Sequence, residues 1–490
     1  MIKEGWEAVI GMEIHAQLAT NTKIFCGCAV ETGGEPNSNT CPVCLGLPGA
    51  LPVLNKRVID LGARAALSLG LQIQESSIFA RKNYFYPDLP KGYQISQYDK
   101  PFSANGKLTI MTSERDDQGR AVEWKPMTIR IERMHLEEDA GKNVHEGLPD
   151  VDKYSYVDLN RAGTPLGEIV TAPDFRTSWQ AYDYVNHVRS VLRWVGASDA
   201  DMEKGNLRCE ANVSVRKIGE TGFNNKSELK NLNSVRFMQK AIEFEIVRQI
   251  EAHEKSEPVN QETRLWDEKN QCTRVMRSKE DAHDYRYFPE PDLQPLKVTA
   301  EFIENVRKQM PELPDAMRDR FMTGYSLSFS DASQIVTEAD LAAFYEAAAK
   351  ESGNPRVTAN FLLSELQREM NNSGKTMAES PVSAKELAAL IKTLDSGAIN
   401  NNQAKEVLVE MFDSGKTAAT VISEKGFEQI SDSAEIEKIV DEIIEKNENQ
   451  VTAYRGGNDK LFGFFVGQVM RASEGKANPK IVNEILKQKL

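Results

Sequence analysis

A chain of 490 residues is longer than one hydrophobic core organises, so two or more domains are expected. The formal net charge of −13 argues against a protein that coats nucleic acid indiscriminately, while leaving room for a local basic face. No signal-type apolar segment and no run of about eighteen apolar residues occurs, and six cysteines are too few for a secreted disulfide scaffold, so a cytosolic protein is expected.

From the N-terminus to about Pro295, short alternating runs sit between Gly, Pro and Asn clusters, which predicts an α+β domain on a largely antiparallel sheet. In the first run, WEAVIGMEIHAQL, a strand period of two puts Trp6, Ala8, Ile10, Met12, Ile14, Ala16 and Leu18 on one face. Glu13, His15 and Gln17 then share the other, where a Glu and a His can converge on one ligand if a second acidic strand lies alongside. The following segment, CGCAVETGGEPNSNTCPVC, separates Cys26 and Cys28 from Cys41 and Cys44 by a Gly, Asn and Pro loop, the pattern of a closed structural Cys₄ zinc site. The plainer alternative is four reduced thiols.

An amphipathic helix is predicted over Lys56 to Leu69, and another over Ser178 to Val195 with Gly196 as its cap. Between them, RKNYFYPDLPKGYQISQY (Arg81 to Tyr98) has the turn chemistry of an ordered surface loop. Its tyrosines are either the loop's own small core or a stacking surface, and Arg81 and Lys82 are candidates to hold phosphate. No G-x-x-x-x-G-K-[ST] segment is present, so a nucleotide site has to be assembled from strands, metal and isolated bases.

The next candidate strand ends in MHLEEDAGK. Ile129 and Ile131 are odd while Met134 and Leu136 are even, which demands a bulge or a change of face between them and leaves open whether Glu137 or Glu138 points inward. LRCEANVSV adds a third polar face with Arg208 and Glu210, and assigns Cys209 to the core. Cys272 has no neighbouring arrangement that would make it a nucleophile. Carboxylates that share a cavity repel one another unless a cation neutralises them, and Mg²⁺ takes one or two carboxylates plus substrate phosphate. His15 suits that ion better as an outer partner than as a ligand.

Beyond Val298 the spacing turns helical, in EFIENVRKQM, DLAAFYEAAAK and VTANFLLSELQREM. The expected organisation is a catalytic domain over 1–295, a helical domain over 296–373, a linker over 374–382 and a helical tail domain over 383–490. No fixed-period repeat is evident. In the tail, Arg455, Lys460, Arg471, Lys476 and Lys480 surround an apolar helix containing Gly463 and Gly467. The bases are either a nucleic-acid contact or simply solvated, the glycines merely admitting a close neighbour.

The motifs VIGMEIHAQL, EPNSNT, LPGALPVLNKR, RKNYFYPDLPKGYQISQY, HLEEDAGK, DLNRAGTPLGEIV, LRCEANVSV, ELKNLNS and DYRYFPEPDL occur in that order. With them the chain resembles the B-subunit family of the aspartyl/glutamyl-tRNA amidotransferases, essentially from end to end. The resemblance implies a cradle-like catalytic domain that uses ATP and Mg²⁺ to phosphorylate the side-chain carboxylate of Glu on tRNA-Gln or Asp on tRNA-Asn. Ammonia from the glutaminase A-subunit, with a small C-subunit bridging the two, then displaces the phosphate. It further implies that Glu13, His15, Glu137 and Glu138 match the metal-binding motif, with Glu13 and Glu138 among the catalytic groups. Lys82 would be the catalytic or phosphate-contacting base beside Arg81, zinc a support for its loop, and the tail bases candidates for the tRNA elbow. Two other readings stay open: a tRNA-presenting protein without chemistry of its own, and a metal-dependent nuclease.

Overall fold

The computed structural model describes residues 3–31, 33–116, 118–144, 147, 149–150, 153–278, 284–427, 433–459, 461–473 and 477–490. Two compact units divide the chain, Met1–Leu313 and Pro314–Leu490.

The first unit runs β1 (Trp6–Gln17), α1 (Lys56–Ser68), β2 (Gln72–Ile73), β3 (Ser76–Ser77), β4 (Phe79–Asn83), β5 (Tyr93–Gln97), β6 (Ser103–Arg115), β7 (Ala121–Glu138), β8 (Lys142–Val144), β9 (Tyr156–Asp158) and β10 (Pro165–Thr171). It continues through α2 (Ser178–Trp194), β11 (Leu207–Lys217), β12 (Ser227–Lys230), α3 (Val235–Glu254), β13 (Glu262–Asp267), β14 (Cys272–Ser278), β15 (Phe288–Pro289), β16 (Leu296–Lys297) and α4 (Ala300–Gln309). Nine strands form one sheet in the order β14-β13-β12-β11-β1-β10-β7-β6-β2, and only its β12–β13 pair is parallel.

Strand β1 lies at the centre of that sheet, and its apolar alternation explains the layering. Ala8, Ile10, Met12, Ile14 and Ala16 are almost fully buried and share one core with residues of α1, α2 and α3, so the helices cover this face. The opposite face keeps the polar residues. Each covering helix is started by a side chain that accepts from an otherwise unpaired backbone N–H: Asn55 for α1, Ser234 for α3, and Thr177 for α2 in a capping box with Gln180. Gly196 follows α2 with φ of 66°, which ends the helix at the predicted glycine.

The bulge that the odd and even apolar positions demanded is present. Against β10, Val170 pairs with Arg133 and Thr171 with Ile131, so Glu132 is the extra residue, while β6 keeps one register past it with Asn105, at φ of 56°, between Ala104–Arg133 and Gly106–Ile131. Ile129, Ile131, Met134 and Leu136 thereby all reach the core. Two expectations come out differently. Arg81 to Tyr98 is a β-hairpin, since β4 and β5 pair from Phe79–Gln97 to Asn83–Tyr93, with β15 on the far side of β4. And α4, assigned by its spacing to the helical domain, belongs to the first unit, because Val298 and Val306 are buried in the sheet-bearing core.

The second unit is helical from Pro314–Gly324 to Pro479–Lys489. The segment 374–382 is ordered by a 3₁₀ turn, Met377–Glu379, capped reciprocally by Thr376 and Glu379, and Val382 is buried. Its C-terminal helices close over Ile436, Val440, Phe465, Val469, Val482 and Leu486. Gly463 and Gly467 do not mark a tight helix contact, since a Cβ at either would meet nothing within 4 Å. Among the described residues no helix is long and apolar enough to cross a membrane.

Candidate active site and cysteine centre

Sheet register builds the polar site. His15 on β1 stands opposite Glu168 on β10, and Glu168 opposite His135 on β7, so three adjacent strands place three titratable side chains in one row. Two residues along, β1 adds Glu13 and β7 adds Glu137 to the same face. His15 Nε2 lies 3.2 Å from Glu168 Oε2, 3.5 Å from Glu137 Oε1 and 3.7 Å from Glu13 Oε1. His135 Nε2 lies 3.0 Å from the same Glu168 oxygen and 3.3 Å from Glu137 Oε2, which also accepts from Ser96 Oγ at 2.8 Å.

Charge in this row is balanced internally. Burial disfavours a charged imidazole, but the Glu168 hydrogen bond and the surrounding carboxylates outweigh it and raise His15 to about 9. Likewise His135, though buried, is raised to about 10 by Glu168 and Glu137. Burial and mutual repulsion oppose ionisation of Glu137 and Glu168, yet the two imidazoles hold both below the usual carboxylate range. Glu13 goes the other way, pushed up to about 7 by burial and by Glu168.

The cluster has the donor set of a divalent cation site. Glu13, His15 and Glu168 form one convergent group and His135, Glu137 and Glu168 another, the ligand atoms of each within 4.8 Å. The carboxylates are the hard-ion donors, and imidazoles that orient them are the ordinary outer partners.

Lys82 faces this cluster from β4. Its ammonium stands 5.0 Å from the ring centre of Tyr285 and 6.0 Å from that of Tyr84. Burial opposes its charge, but Glu137, Tyr287 and Glu168 prevail and hold the lysine above its ordinary value. Beside Glu13 a cavity of about 390 Å³ opens, lined in part by Gly11, Asn212, Phe223, Asn224 and Lys226.

Two of the residues singled out from the sequence are not brought into the cluster. Arg81 neighbours Lys82 on a strand and so points to the other side, where its guanidinium donates to both oxygens of buried Glu290 at 2.7 and 2.8 Å and lies 4.3 Å from the Tyr93 ring centre. Glu138 alternates away from His135 and Glu137, and its carboxylate is held by Lys91 Nζ at 2.6 Å and the Ile95 N–H at 2.8 Å. Glu210 of the third acidic strand pairs with Lys230 Nζ at 2.6 Å. Glu168 and His135 are the members that sequence reasoning missed. A lone carboxylate inside the apolar run PLGEIV was the available signal for Glu168, and parity with Glu137 the signal for His135.

Cys26, Cys28, Cys41 and Cys44 do converge. Their sulfurs lie 3.6 Å (Cys26–Cys44), 3.7 Å (Cys41–Cys44) and 3.8 Å (Cys28–Cys44) apart. Four thiolates at about 2.3 Å from a tetrahedral zinc would be separated by about 3.8 Å, so the residues fit that ion. Hydrogen bonding from Cys26, against burial and with help from the Lys23 charge, holds Cys44 down at about 4, while burial and the neighbouring thiols push Cys28 up to about 11. Cys209 is buried in the core as expected.

Of the tail bases, Arg455 donates to the backbone carbonyls of Leu490 and Lys489 at 3.1 and 3.0 Å, and Arg471 is exposed near the end of the helix Leu461–Ala472. Lys460 and Lys476 lie outside the described residues; Lys480 is the second residue of the last helix, and its side chain lies outside the description.

Fold and site together define a two-part α+β protein whose large, mostly antiparallel sheet carries a buried carboxylate–imidazole cluster on the face opposite its helices, with the β4–β5 hairpin against it. Residues 8–304 match the family described as the GatB/GatE catalytic domain, and residues 343–490 match the GatB domain of the GatB_Yqey family. The chain belongs to the GatB family. It is 51% identical over 486 residues to a protein of Persephonella marina, covering 99% of each chain. Relatives from Carboxydothermus hydrogenoformans (over 485 residues, 99% of each chain) and Thermodesulfovibrio yellowstonii (over 481 residues, 98% of each) are 50% identical to it. All three relatives are named as the B-subunit of aspartyl/glutamyl-tRNA(Asn/Gln) amidotransferase.

Proposed function

We propose that this chain is the carboxylate-activating component of a cytoplasmic tRNA-dependent amidotransferase. It transfers the γ-phosphoryl group of ATP to the side-chain carboxylate of Glu esterified to tRNA-Gln, or of Asp esterified to tRNA-Asn. Ammonia from the glutaminase A-subunit, in a complex completed by a small C-subunit, then attacks the acyl phosphate, phosphate leaves, and the amide forms.

The observation that carries this reading is the row Glu13, His15, Glu168, His135 and Glu137 with Lys82 facing it. A carboxylate is a poor acyl donor until one of its oxygens becomes a good leaving group, and phosphoryl transfer achieves that mainly through positioning and charge stabilisation. Glu13, Glu137 and Glu168 would hold Mg²⁺, which would supply charge neutralisation for the phosphates. His15 and His135 hold those carboxylates in place, and Lys82 offers a fixed positive charge to the transferring group. Glu138 and Arg81 then act by supporting the hairpin, through Lys91 and Glu290. The cysteine cluster takes zinc as a structural ion, and the helical second unit engages the tRNA, with Arg455, Lys460, Arg471, Lys476 and Lys480 as candidate contacts.

The test is ATP hydrolysis by the reconstituted heterotrimer with Glu-tRNA-Gln and Mg²⁺, comparing the native chain with Glu13→Ala and Lys82→Met. The expected result is turnover that requires mischarged tRNA and falls at least 100-fold in both variants with tRNA binding intact. Unimpaired variants would return the cluster to a structural role and favour a protein that only presents tRNA.

A further inference from the structure

Lys23 is fully buried, the one lysine among the described residues that is. A buried ammonium is costly without a compensating negative charge, and Lys23 forms no ion pair with a carboxylate among the described residues. Its Nζ instead donates to Cys44 Sγ at 3.4 Å and to the Asn39 carbonyl at 3.0 Å. The backbone fixes this placement. The Lys23 N–H donates to the Cys28 carbonyl at 2.9 Å and Thr22 bridges Ala29, so Lys23 sits at the base of the same turn that presents Cys26 and Cys28.

We propose that the cysteine centre has a fifth member: Lys23 is the charge partner of the zinc tetrathiolate, seated on the Cys44 sulfur. The inference rests on the zinc reading of the four cysteines. Zn²⁺ with four thiolates carries a net charge of −2, and a buried ammonium on one sulfur halves it while drawing electron density from that sulfur. Lys23 is thus a positioning residue that strengthens zinc retention and makes Cys44 a poorer nucleophile toward alkylating and oxidising reagents.

The experiment uses the full chain, native and as Lys23→Met, Lys23→Gln and Lys23→Arg. Bound zinc is quantified after reconstitution, its transfer to a chromogenic chelator is timed, and the alkylation rate of Cys44 is followed by peptide mass mapping. Removing an outer partner of a metal ligand typically costs about 10–100-fold in affinity, and Lys23→Met is expected to release zinc and expose Cys44 faster by that factor. Lys23→Arg should stay near the native rates. In the Co²⁺-substituted protein, the thiolate-to-metal absorption band should shift in Lys23→Met and hold in Lys23→Arg, which mere loosening of the turn would not produce. If Lys23→Met does not fold, Lys23→Gln carries the same comparison, since it keeps a donor for Asn39 and loses the charge. Native rates and an unshifted band in the neutral variants would overturn the proposal and leave the zinc reading standing. A native chain that takes up no zinc would overturn the zinc reading, and the proposal with it.

Discussion

The carboxylate–imidazole row is neutralised by protons, and a divalent cation that entered it would have to compete with them. Glu13 titrates near 7 and His15 near 9, so at pH 6 both carry a proton, whereas at pH 8 only His15 does. A cation among Glu13, Glu137 and Glu168 needs the Glu13 oxygen free and repels the imidazolium 3.7 Å from it. Both His15, near 9, and His135, near 10, keep their protons across this interval, so the change between pH 6 and pH 8 comes from the Glu13 proton. Losing that competitor makes the cation bind about tenfold more tightly at pH 8 than at pH 6, or about 1.4 kcal/mol. In Glu13→Gln this tenfold share should disappear. Mn²⁺ is the convenient probe, its free ion followed by electron paramagnetic resonance and its proton release by calorimetry in buffers of different ionisation enthalpy. A native affinity that ignores pH, or a Glu13→Gln chain with the native pH dependence, would refute the proton-exchange account.

Three further outcomes follow from particular contacts. Glu168→Gln removes the charge that both imidazoles contact, so His15 and His135 should lose their raised affinity for protons, seen as a downward move of their NMR titrations, and Mn²⁺ binding should weaken at least tenfold. Arg81→Ala should leave Mn²⁺ affinity unchanged but strand the buried Glu290 carboxylate, lowering urea stability by about 3 kcal/mol; an equal loss in metal affinity would return Arg81 to the site. In the helical unit, hydrogen bonds from Arg320 and Lys350 hold Glu346 down at about 2, so its stabilising contribution is complete above about pH 4.5 and disappears as pH falls toward 2. A Glu346→Gln chain should show a shallower acid transition over that window by circular dichroism, and an unchanged one would count against the ion pairs.

How far the site was legible follows from which constraints are local. Strand β1 was readable because one face is buried without interruption, so parity alone assigned Glu13 and His15 to the free face. The same logic required a bulge before Met134, and the β7–β10 register places it at Glu132. The Glu137–Glu138 choice turns on there being one bulge and no second: with it before Met134, the core side of Met134 and Leu136 sends Glu137 to the other side with His135, but the sequence does not exclude another irregularity between Leu136 and Glu138. Glu168 was hidden for a different reason: its partners come from the pairing of β10 between β1 and β7, a long-range choice that no local period encodes. Arg81 and Lys82 look alike as adjacent bases in a loop and separate only once the segment is a strand, which sends one to Glu290 and the other to the cluster.

The cysteine centre and the carboxylate row share no side chain, yet the cysteine loop bears on where Glu168 stands. The Asn37 side-chain amide donates to the Val157 carbonyl at 2.9 Å and its side-chain oxygen accepts from the Leu159 N–H at 2.8 Å, while the Asn39 N–H donates to Asn160 Oδ1 at 2.8 Å. These residues lie just before β10, the strand that carries Glu168. At the other side of the same turn, Gly163 and Thr164 exchange backbone hydrogen bonds with Asp139 at 2.9 and 2.8 Å, and Asp139 follows directly on Glu137 and Glu138. The turn at 158–164 is therefore gripped by the cysteine loop on one side and by the end of β7 on the other. A family member that replaced the cysteines would need to hold this turn by some other means, because Glu168 must still lie opposite both imidazoles for the row to balance its charge.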